Sequence, residues 1–296
     1  MARASDEDRK RIEEYQRELG KYPKPSVTAD IVALRPSFNH TDRSNWRKNP
    51  EFSIEILFIR RGQWPFENYW ALPGGFLRPD ESLEGCAKRE LKEETDLDAN
   101  TLIPIGVFSR PGRDMRAWII SNAFLSIHEH NTVTNVKGGD DAATAKWLRL
   151  VAPEVFDGGF SLSFYDGEEK CFTLTGEYTS ESIGVKKVSK IDDNILAFDH
   201  GEILVQAILH LLSLDTKELA FYFLPEKFTL AEYIDVYLYL LRKKKDEFDI
   251  PNFRRLLTAK NCPLVVVSKN ANDEEEYEDL EGRGHAKAKL YKRVVR

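Results

Sequence analysis

The sequence predicts an α+β fold in two parts, a strand-rich body and a small domain of helices and short strands. Three observations lead there. Runs such as Val27 to Leu34, Ile54 to Ile59 and Leu102 to Phe108 are apolar and bounded by turn-forming or polar residues, the marks of strands. One charged, helix-length stretch, from Ser82 to about Thr95, interrupts them. Past Phe223-Leu-Pro225 the pattern changes to two helix candidates and two strands. A length of 296 residues suits two domains.

The totals bound the functional classes. A net charge of -6 argues against a chain that is basic all over, but leaves room for a local basic patch. Cys86, Cys171 and Cys262 are scattered and lack metal-binding spacing, which fits free thiols in a reducing cytosol. No apolar core follows a basic start and no run approaches a membrane span. A cytoplasmic protein with no membrane partner is expected.

Taken in order, residues 1–26 form an N-terminal arm. Ile12, Tyr15 and Leu19 repeat at helical spacing until Pro23 and Pro25 break the pattern. Val27 to Leu34 is the first strand, ending at Pro36, and Ser37 to Pro50 is a long surface excursion before the second strand. Trp64 to Trp70 then leads into Leu72-Pro-Gly-Gly75, whose glycines let backbone approach a ligand closely. Phe66 and Tyr69 are core residues or a stacking platform for a base. After Leu102 to Phe108 comes a loop crowded with arginine, Ser109-Arg110-Pro-Gly-Arg113-Asp114-Met-Arg116, and a strand from Ala117 to Ile127. Arginine forks in such a loop suit phosphate or carboxylate recognition. Asp140 and Asp141 precede a strand anchored by Trp147, and either orient a water or cap a turn. Alternation between about 157 and 197 suggests an inserted hairpin. An amphipathic helix follows through about Leu212, with His200 in a structural or capping role.

The stretch Gly75 to Leu97 carries the chemistry. On a helix, Glu90, Glu93 and Glu94 stand at i, i+3 and i+4, so their carboxylates share one face and repel. A hard divalent cation reverses the sign of that interaction. Gly75, Glu81, Arg89, Glu90, Leu91, Glu93, Glu94 and Leu97 resemble the Nudix box, G-x5-E-x7-R-E-U-x-E-E-x-G-U. Asp96 departs from it, standing at the glycine position. It falls where a helix end favours a left-handed residue, a conformation that Asp tolerates.

The resemblance implies a Nudix α/β/α sandwich with a mixed sheet over residues 27–222. It implies Mg²⁺, with Mn²⁺ as the alternative, held by Glu90, Glu93 and Glu94. It also implies catalytic roles for Glu93, Glu94, Arg89 and Asp141, and an aromatic packed beneath the box at Trp70. The string Arg110, Arg113, Asp114 and Arg116 is similar to the R-x-x-R-D-x-R loop of Nudix proteins that handle ADP-ribose, and with Gly75 makes the implied ligand set.

Residues 223–296 supply a second signature. Thr229 and Glu232 have capping-box spacing for a helix to Arg242. Pro251 opens another helix with Phe253, Leu256 and Leu257 inward, and Leu264 to Val267 and Lys289 to Val294 form a ribbon. Helix, helix and ribbon is the order of a winged helix-turn-helix, whose second helix enters the major groove. The DNA-facing set is then Asn252, Arg254, Arg255, Arg283 and Lys287, with Lys260, Lys289, Lys292 and Arg293 in support. The acidic run Asp273 to Glu281 opposes this and is expected to be a mobile loop pointing away. From about Val27 to Arg293 the chain resembles the Nudix-related transcriptional regulators of NAD metabolism. That resemblance implies a homodimer that senses ADP-ribose or a related nucleotide and binds operator DNA, with residual hydrolysis compatible. The competing expectation is a Mg²⁺-dependent Nudix hydrolase, of ADP-ribose pyrophosphatase type, whose C-terminal domain serves assembly.

Overall fold

A computed structural model describes residues 6–39, 51–99, 101–129, 142–180, 186–192, 194–259, 264–279 and 287–294. Helix α1, Asp6–Leu19, leaves Ile12 and Tyr15 exposed. Strands β1, Ser26–Asn39, and β2, Glu51–Arg61, pair antiparallel. Two short strands follow, β3, Trp70–Ala71, and β4, Gly74–Phe76, and then helix α2, Leu83–Thr95. Strands β5, Ile103–Phe108, β6, Ile119–Ile127, and β7, Ala142–Phe156, complete the part nearest the helix. Strands β8, Gly159–Asp166, β9, Glu169–Ser180, and β10, Lys186–Asp192, extend it.

These strands form one mixed ten-stranded sheet in the order β10-β9-β8-β7-β2-β1-β6-β5, with β3 beside β2 and β4 beside β1. Among the described strands, β1 and β6 are the pair that runs parallel. The β1 sequence alternates its burial between two layers. Ala29, Ile31 and Ala33 face Cys86, Ala87 and Leu91 of α2, whereas Val32 and Leu34 join the larger core on the opposite face. Helix α3, His200–Leu211, covers that opposite face with Ile203, Leu204, Ala207 and Ile208. The result is an α+β fold with helices on both faces of a mixed sheet.

Three local expectations change. Strand β1 continues through Pro36 to Asn39, because β2 pairs with it along that whole length, whereas the β6 register reaches Leu34 and a proline is tolerated where only one side of the strand is laddered. The segment after Phe156 is a three-stranded antiparallel extension of the main sheet, where a hairpin was expected. Trp70 packs against the larger core, not the cluster behind α2, since alternation in β3 turns it to the other face. The excursion to Pro50 lies outside the described residues over 40–50.

Helix α4, Thr216–Ala220, strand β11, Phe228–Thr229, helix α5, Leu230–Leu241, and helix α6, Ile250–Leu257, come next. Strands β12, Val265–Val267, β13, Tyr277–Asp279, and β14, Lys287–Arg293, end the chain as described. In the small sheet β14 pairs with β11, β12 and β13. Thr229 and Glu232 close the capping box on α5, and Asp249 caps α6 with Pro251 in its first turn. Helix α5 is tied to the large sheet. Tyr239 Oη donates to Leu150 O at 2.9 Å, Arg242 Nη1 donates to Val155 O at 3.0 Å, and the Tyr239 and Phe52 rings meet at 5.1 Å. One apolar core therefore runs from the large sheet through α3 into α5 and α6.

Candidate functional site

The cleft begins with the turn before α2. A Cβ on Gly74 would collide with Ala29 O and Asp30, so glycine lets β4 lie this close to β1, and a Cβ on Gly75 would push the Glu90 carboxyl aside. Ser82 caps α2 by accepting from Gly85 N at 3.1 Å. Asp96 closes the helix at φ 60°, ψ 19°, and its N–H donates to Lys92 O at 3.0 Å. The left-handed stop expected at the glycine position is present with aspartate in it.

Arg89 organises the carboxylates. It donates to Glu81 through Nε at 2.9 Å and Nη2 at 2.7 Å, and through Nη1 to Glu90 at 2.6 Å and Glu93 at 3.0 Å. Its Nη2 also reaches Phe76 O at 3.0 Å. The Arg89 hydrogen bonds hold the Glu81 carboxyl down to about 2, and those to Glu81 and Glu90 outweigh burial in raising the pKa of Arg89 itself. Burial raises the Glu90 carboxyl, against the pull of Arg89. Glu94 stands apart from the arginine: its Oε2 accepts from Gly74 N at 3.0 Å, and burial pushes its carboxyl up to about 8. Burial and the nearby Glu81 and Glu90 charges push the Cys86 thiol to about 12, so it stays protonated.

The arginine loop is divided between cleft and interior. Arg113 turns inward and forms a two-pronged pair with Asp199, at 2.7 and 2.5 Å, with Asp30 at 3.6 Å. Burial opposes the charge of Arg113, and the Asp199 hydrogen bond together with the charges of Asp199, Asp30 and Asp114 outweighs it. It holds the loop rather than facing a ligand. Asp114 is buried too: burial alone would raise its carboxyl, but the Arg116 hydrogen bonds bring it below its usual range. Arg116 bonds Asp114 at 2.7 Å and stays partly exposed, and Arg110 is exposed at 3.3 Å from Glu202. Asp140 and Asp141 lie outside the described residues.

Beneath the cleft runs a buried polar group that motif spacing did not disclose. Asp30 accepts from Ser121 Oγ, and His200 Nε2 lies 3.8 Å from Asp30 Oδ1. His200 Nδ1 accepts from Leu72 N at 2.9 Å, and burial lowers the imidazole pKa. His200 has the structural role expected of it: it fixes the turn before Gly74. Only its partners, Leu72 at a separation of 128 residues and Asp30 farther still, were hidden from the sequence.

In the C-terminal segment, Asn252, Arg254 and Arg255 line the exposed side of α6, with Arg255 donating to Asn252 Oδ1 at 2.9 Å. Phe253 and Leu257 face inward as expected, but Leu256 turns out and is 54% exposed, because the inward stripe of this short helix runs i, i+4. Lys287 is exposed, and Lys260 and Arg283 lie outside the described residues. Part of the acidic run is bound, not a loop pointing away: Glu275 pairs with Lys289 at 2.7 Å, Glu276 with Lys227 at 2.7 Å, and Tyr277–Asp279 forms β13. Arg293 pairs with Glu218 at 2.5 Å and lies over the Phe221 ring. Lys289 and Arg293 thus serve the packing of the small sheet.

Residues 46–159 match the family model described as "NUDIX domain". The chain carries a NUDIX domain. The match includes α2 and the arginine loop. The chain is 25% identical over 223 residues to the "ADPR responsive transcriptional repressor NtrR" of Acinetobacter baylyi, covering 74% of this chain and 68% of that one. A 40% identity over 96 residues links it to the "ADP-ribose pyrophosphatase" of Methanocaldococcus jannaschii, covering 32% of this chain and 55% of that one. Among solved structures, Shewanella oneidensis NrtR complexed with a 27mer DNA has the same fold, at 21% identity and a TM-score of 0.54. It covers 90% of this chain and 93% of that one.

The residues of the Nudix box fit a divalent cation by the chemistry of their donors. Glu90 and Glu94 are hard oxygen donors one helical turn apart beside the Gly74–Gly75 turn, and burial leaves both carboxyls in want of positive charge. Among the described residues no three acidic or imidazole groups converge as a ready-made metal cluster, and Arg89 holds Glu90 and Glu93 in place. Mg²⁺ suits such a site, because it is held by one or two carboxylates with phosphate and water completing the shell. No helix among the described residues is long and apolar enough to cross a membrane.

Proposed function

We propose that this chain is a DNA-binding transcriptional regulator whose Nudix domain binds ADP-ribose or a related nucleotide. The observation that carries it is the single core joining a carboxylate–arginine cleft to a helix–helix–sheet unit with Arg254 and Arg255 exposed. Likeness to the NtrR repressor supports the reading, as does the NrtR fold over 90% of the chain. Residues 27–222 act as the Nudix domain, and residues 223–296 act as a winged helix-turn-helix with α6 as recognition helix. A homodimer would set two such helices on half-sites about one DNA turn, roughly 34 Å, apart.

In the cleft, a bound Mg²⁺ or Mn²⁺ held by Glu90, Glu93 and Glu94 would neutralise diphosphate charge and polarise water. Arg89 positions Glu81, Glu90 and Glu93. Gly75 lets backbone approach the ligand, and Arg110 and Arg116 reach its anionic groups. Arg113 and Asp114 keep the loop in shape, and Asp141 is the candidate base.

Electrophoretic shift of the protein's own upstream DNA, with salt and ADP-ribose titrated, tests the regulator. Salt-sensitive binding that ADP-ribose alters is the expected result, and an absence of binding at low salt rejects it. The retained Glu90, Glu93 and Glu94 set favours a second, compatible activity, pyrophosphohydrolysis. It is supported by the 40% identical pyrophosphatase relative. Release of AMP from ADP-ribose with Mg²⁺, abolished in Glu93→Gln while DNA binding persists, would separate the two activities.

A further inference from the structure

The acidic run beside the small sheet is shared out one carboxylate to one lysine. Asp273 pairs with Lys269 at 2.8 Å, Glu275 with Lys289 at 2.7 Å and Glu276 with Lys227 at 2.7 Å. These lysines come from separate places: Lys269 lies two residues past β12, Lys289 within β14, and Lys227 just before β11. The charge of Lys292 also acts on Glu276. Glu274, in the middle of the run, has no lysine partner among the described residues and accepts from Asn270 Nδ2 at 3.0 Å.

The backbone fixes this distribution. Glu276 N donates to Ser268 O at 2.9 Å and Glu276 O accepts from Leu290 N at 3.0 Å, which laces the run between the end of β12 and β14. Ser268 Oγ donates to Glu276 at 2.5 Å and Tyr277 Oη to Glu275 at 2.7 Å, aiming both carboxylates. The Lys289 hydrogen bond holds the Glu275 carboxyl below its usual range, and the Lys227 bond does the same for Glu276. Both pairs nevertheless reach solvent, with the Lys289 and Lys227 side chains 35% and 45% exposed, so salt screens them and another anion can take the carboxylate's place. Helix α6 is different. Arg254 has no carboxylate partner among the described residues, and Arg255 donates to the neutral Asn252.

We propose that Glu275 and Glu276 occupy, on Lys289 and Lys227, the places of two backbone phosphates of duplex DNA, so that the small sheet masks its own phosphate-binding surface. This rests on the C-terminal unit being a DNA-binding module. Contact through α6 displaces no ion pair, whereas contact through the sheet exchanges a carboxylate for a phosphate on each lysine. A lysine that keeps its carboxylate neutralises no phosphate and releases no counterion from the DNA. The run therefore lowers the part of the affinity that does not depend on base sequence.

Fluorescence anisotropy of the full chain on two duplexes, its own upstream region and a scrambled sequence, tests this across about 50 to 200 mM salt. Glu275→Gln/Glu276→Gln should bind both duplexes more tightly, by roughly 3- to 10-fold for each lysine released near 0.1 M salt. The slope of log affinity against log salt should steepen by about 0.9 for each lysine. Glu274→Gln removes a charge from the same run without freeing a lysine, and should stay within about twofold, the effect of a screened surface charge. Adding Lys227→Gln and Lys289→Gln to the double variant should abolish the gain, a readout that a purely structural role for the pairs would not move. If the double variant fails to fold, Glu275→Gln alone, which keeps the shape of the side chain, carries the one-lysine effect. A folded Glu275→Gln that binds no tighter than wild type, at an unaltered salt slope, overturns the proposal and leaves the DNA-binding reading standing. Failure of wild type and variants alike to bind either duplex at low salt overturns both.

Discussion

The box helix and the arginine loop are equally rich in charge, yet they are built in opposite ways. The partners of Arg89 lie close in sequence, in its own helix, in the turn before it and at Phe76 of β4, with Glu81 8 positions away and Phe76 13. The arginine loop instead looks across the chain: Arg113 meets Asp199 over 86 positions and Arg110 meets Glu202 over 92. Helical periodicity places the first set whatever the rest of the molecule does. The second set exists only once α3 has docked on the sheet. Local spacing therefore discloses a carboxylate site, while a loop's arginines can be assigned to ligand or to scaffold only from the fold.

Asp199→Ala should produce the largest effect, by breaking the long-range side of this contrast. It leaves the Arg113 guanidinium buried with only Asp30 at 3.6 Å, and should destabilise the fold by about 3 kcal/mol in urea denaturation. A loss under about 1 kcal/mol, the level of an exposed pair, would show that the loop is not held from α3.

Arg89→Met breaks the local side. Glu81, Glu90 and Glu93 lose their shared cation, and the mutant should bind Mg²⁺ roughly 10- to 100-fold more weakly by titration, as for other groups that support metal ligands. Unchanged metal affinity would make the arginine a scaffold element only.

The Glu94 carboxyl sharpens the contrast through pH. Its folded value, about 8, exceeds the ordinary 4.5, so between these values the folded state binds more protons than the unfolded one. Stability of the metal-free protein should then fall as pH rises through that window, and Glu94→Gln should flatten the slope. Thermal melts in chelator from pH 5 to pH 8 on the two proteins check this, and parallel curves would refute it. Mg²⁺ should recover stability most at the alkaline end.

Asp96→Gly should matter least. Glycine relieves the left-handed φ of 60°, but removes the 3.0 Å ion pair with Lys92, and the net change should stay within about 1 kcal/mol. A large gain in Mg²⁺ affinity in this variant would instead make Asp96 a perturber of the metal site.

Much of the architecture was legible where interactions are short in sequence. The caps at Ser82, Thr229 and Asp96, the extent of α2 and the capping box of α5 follow from residues three or four apart. The same rule explains the errors. Whether Pro36 ends a strand depends on where β6 stops, and whether 157–197 is a hairpin or part of the sheet depends on the exposed edge of β7. Sequence alone makes the acidic run a mobile loop pointing away, because lysines such as Lys289 reach it only through β13–β14 pairing.

The sequence by itself determined an α+β chain with a carboxylate helix, a glycine turn that admits close approach, and a second pair of helices with arginines on one. Those are consequences of helical and strand periods, which each segment carries internally. Only the tertiary structure decided that Arg113 is buried, that Arg61 and Arg116 share the Phe198 ring, and that one core joins α5 to the large sheet. A side chain's charge is written in the sequence. Its partner, when it lies some 90 residues away, is set by which faces of the sheet must be covered.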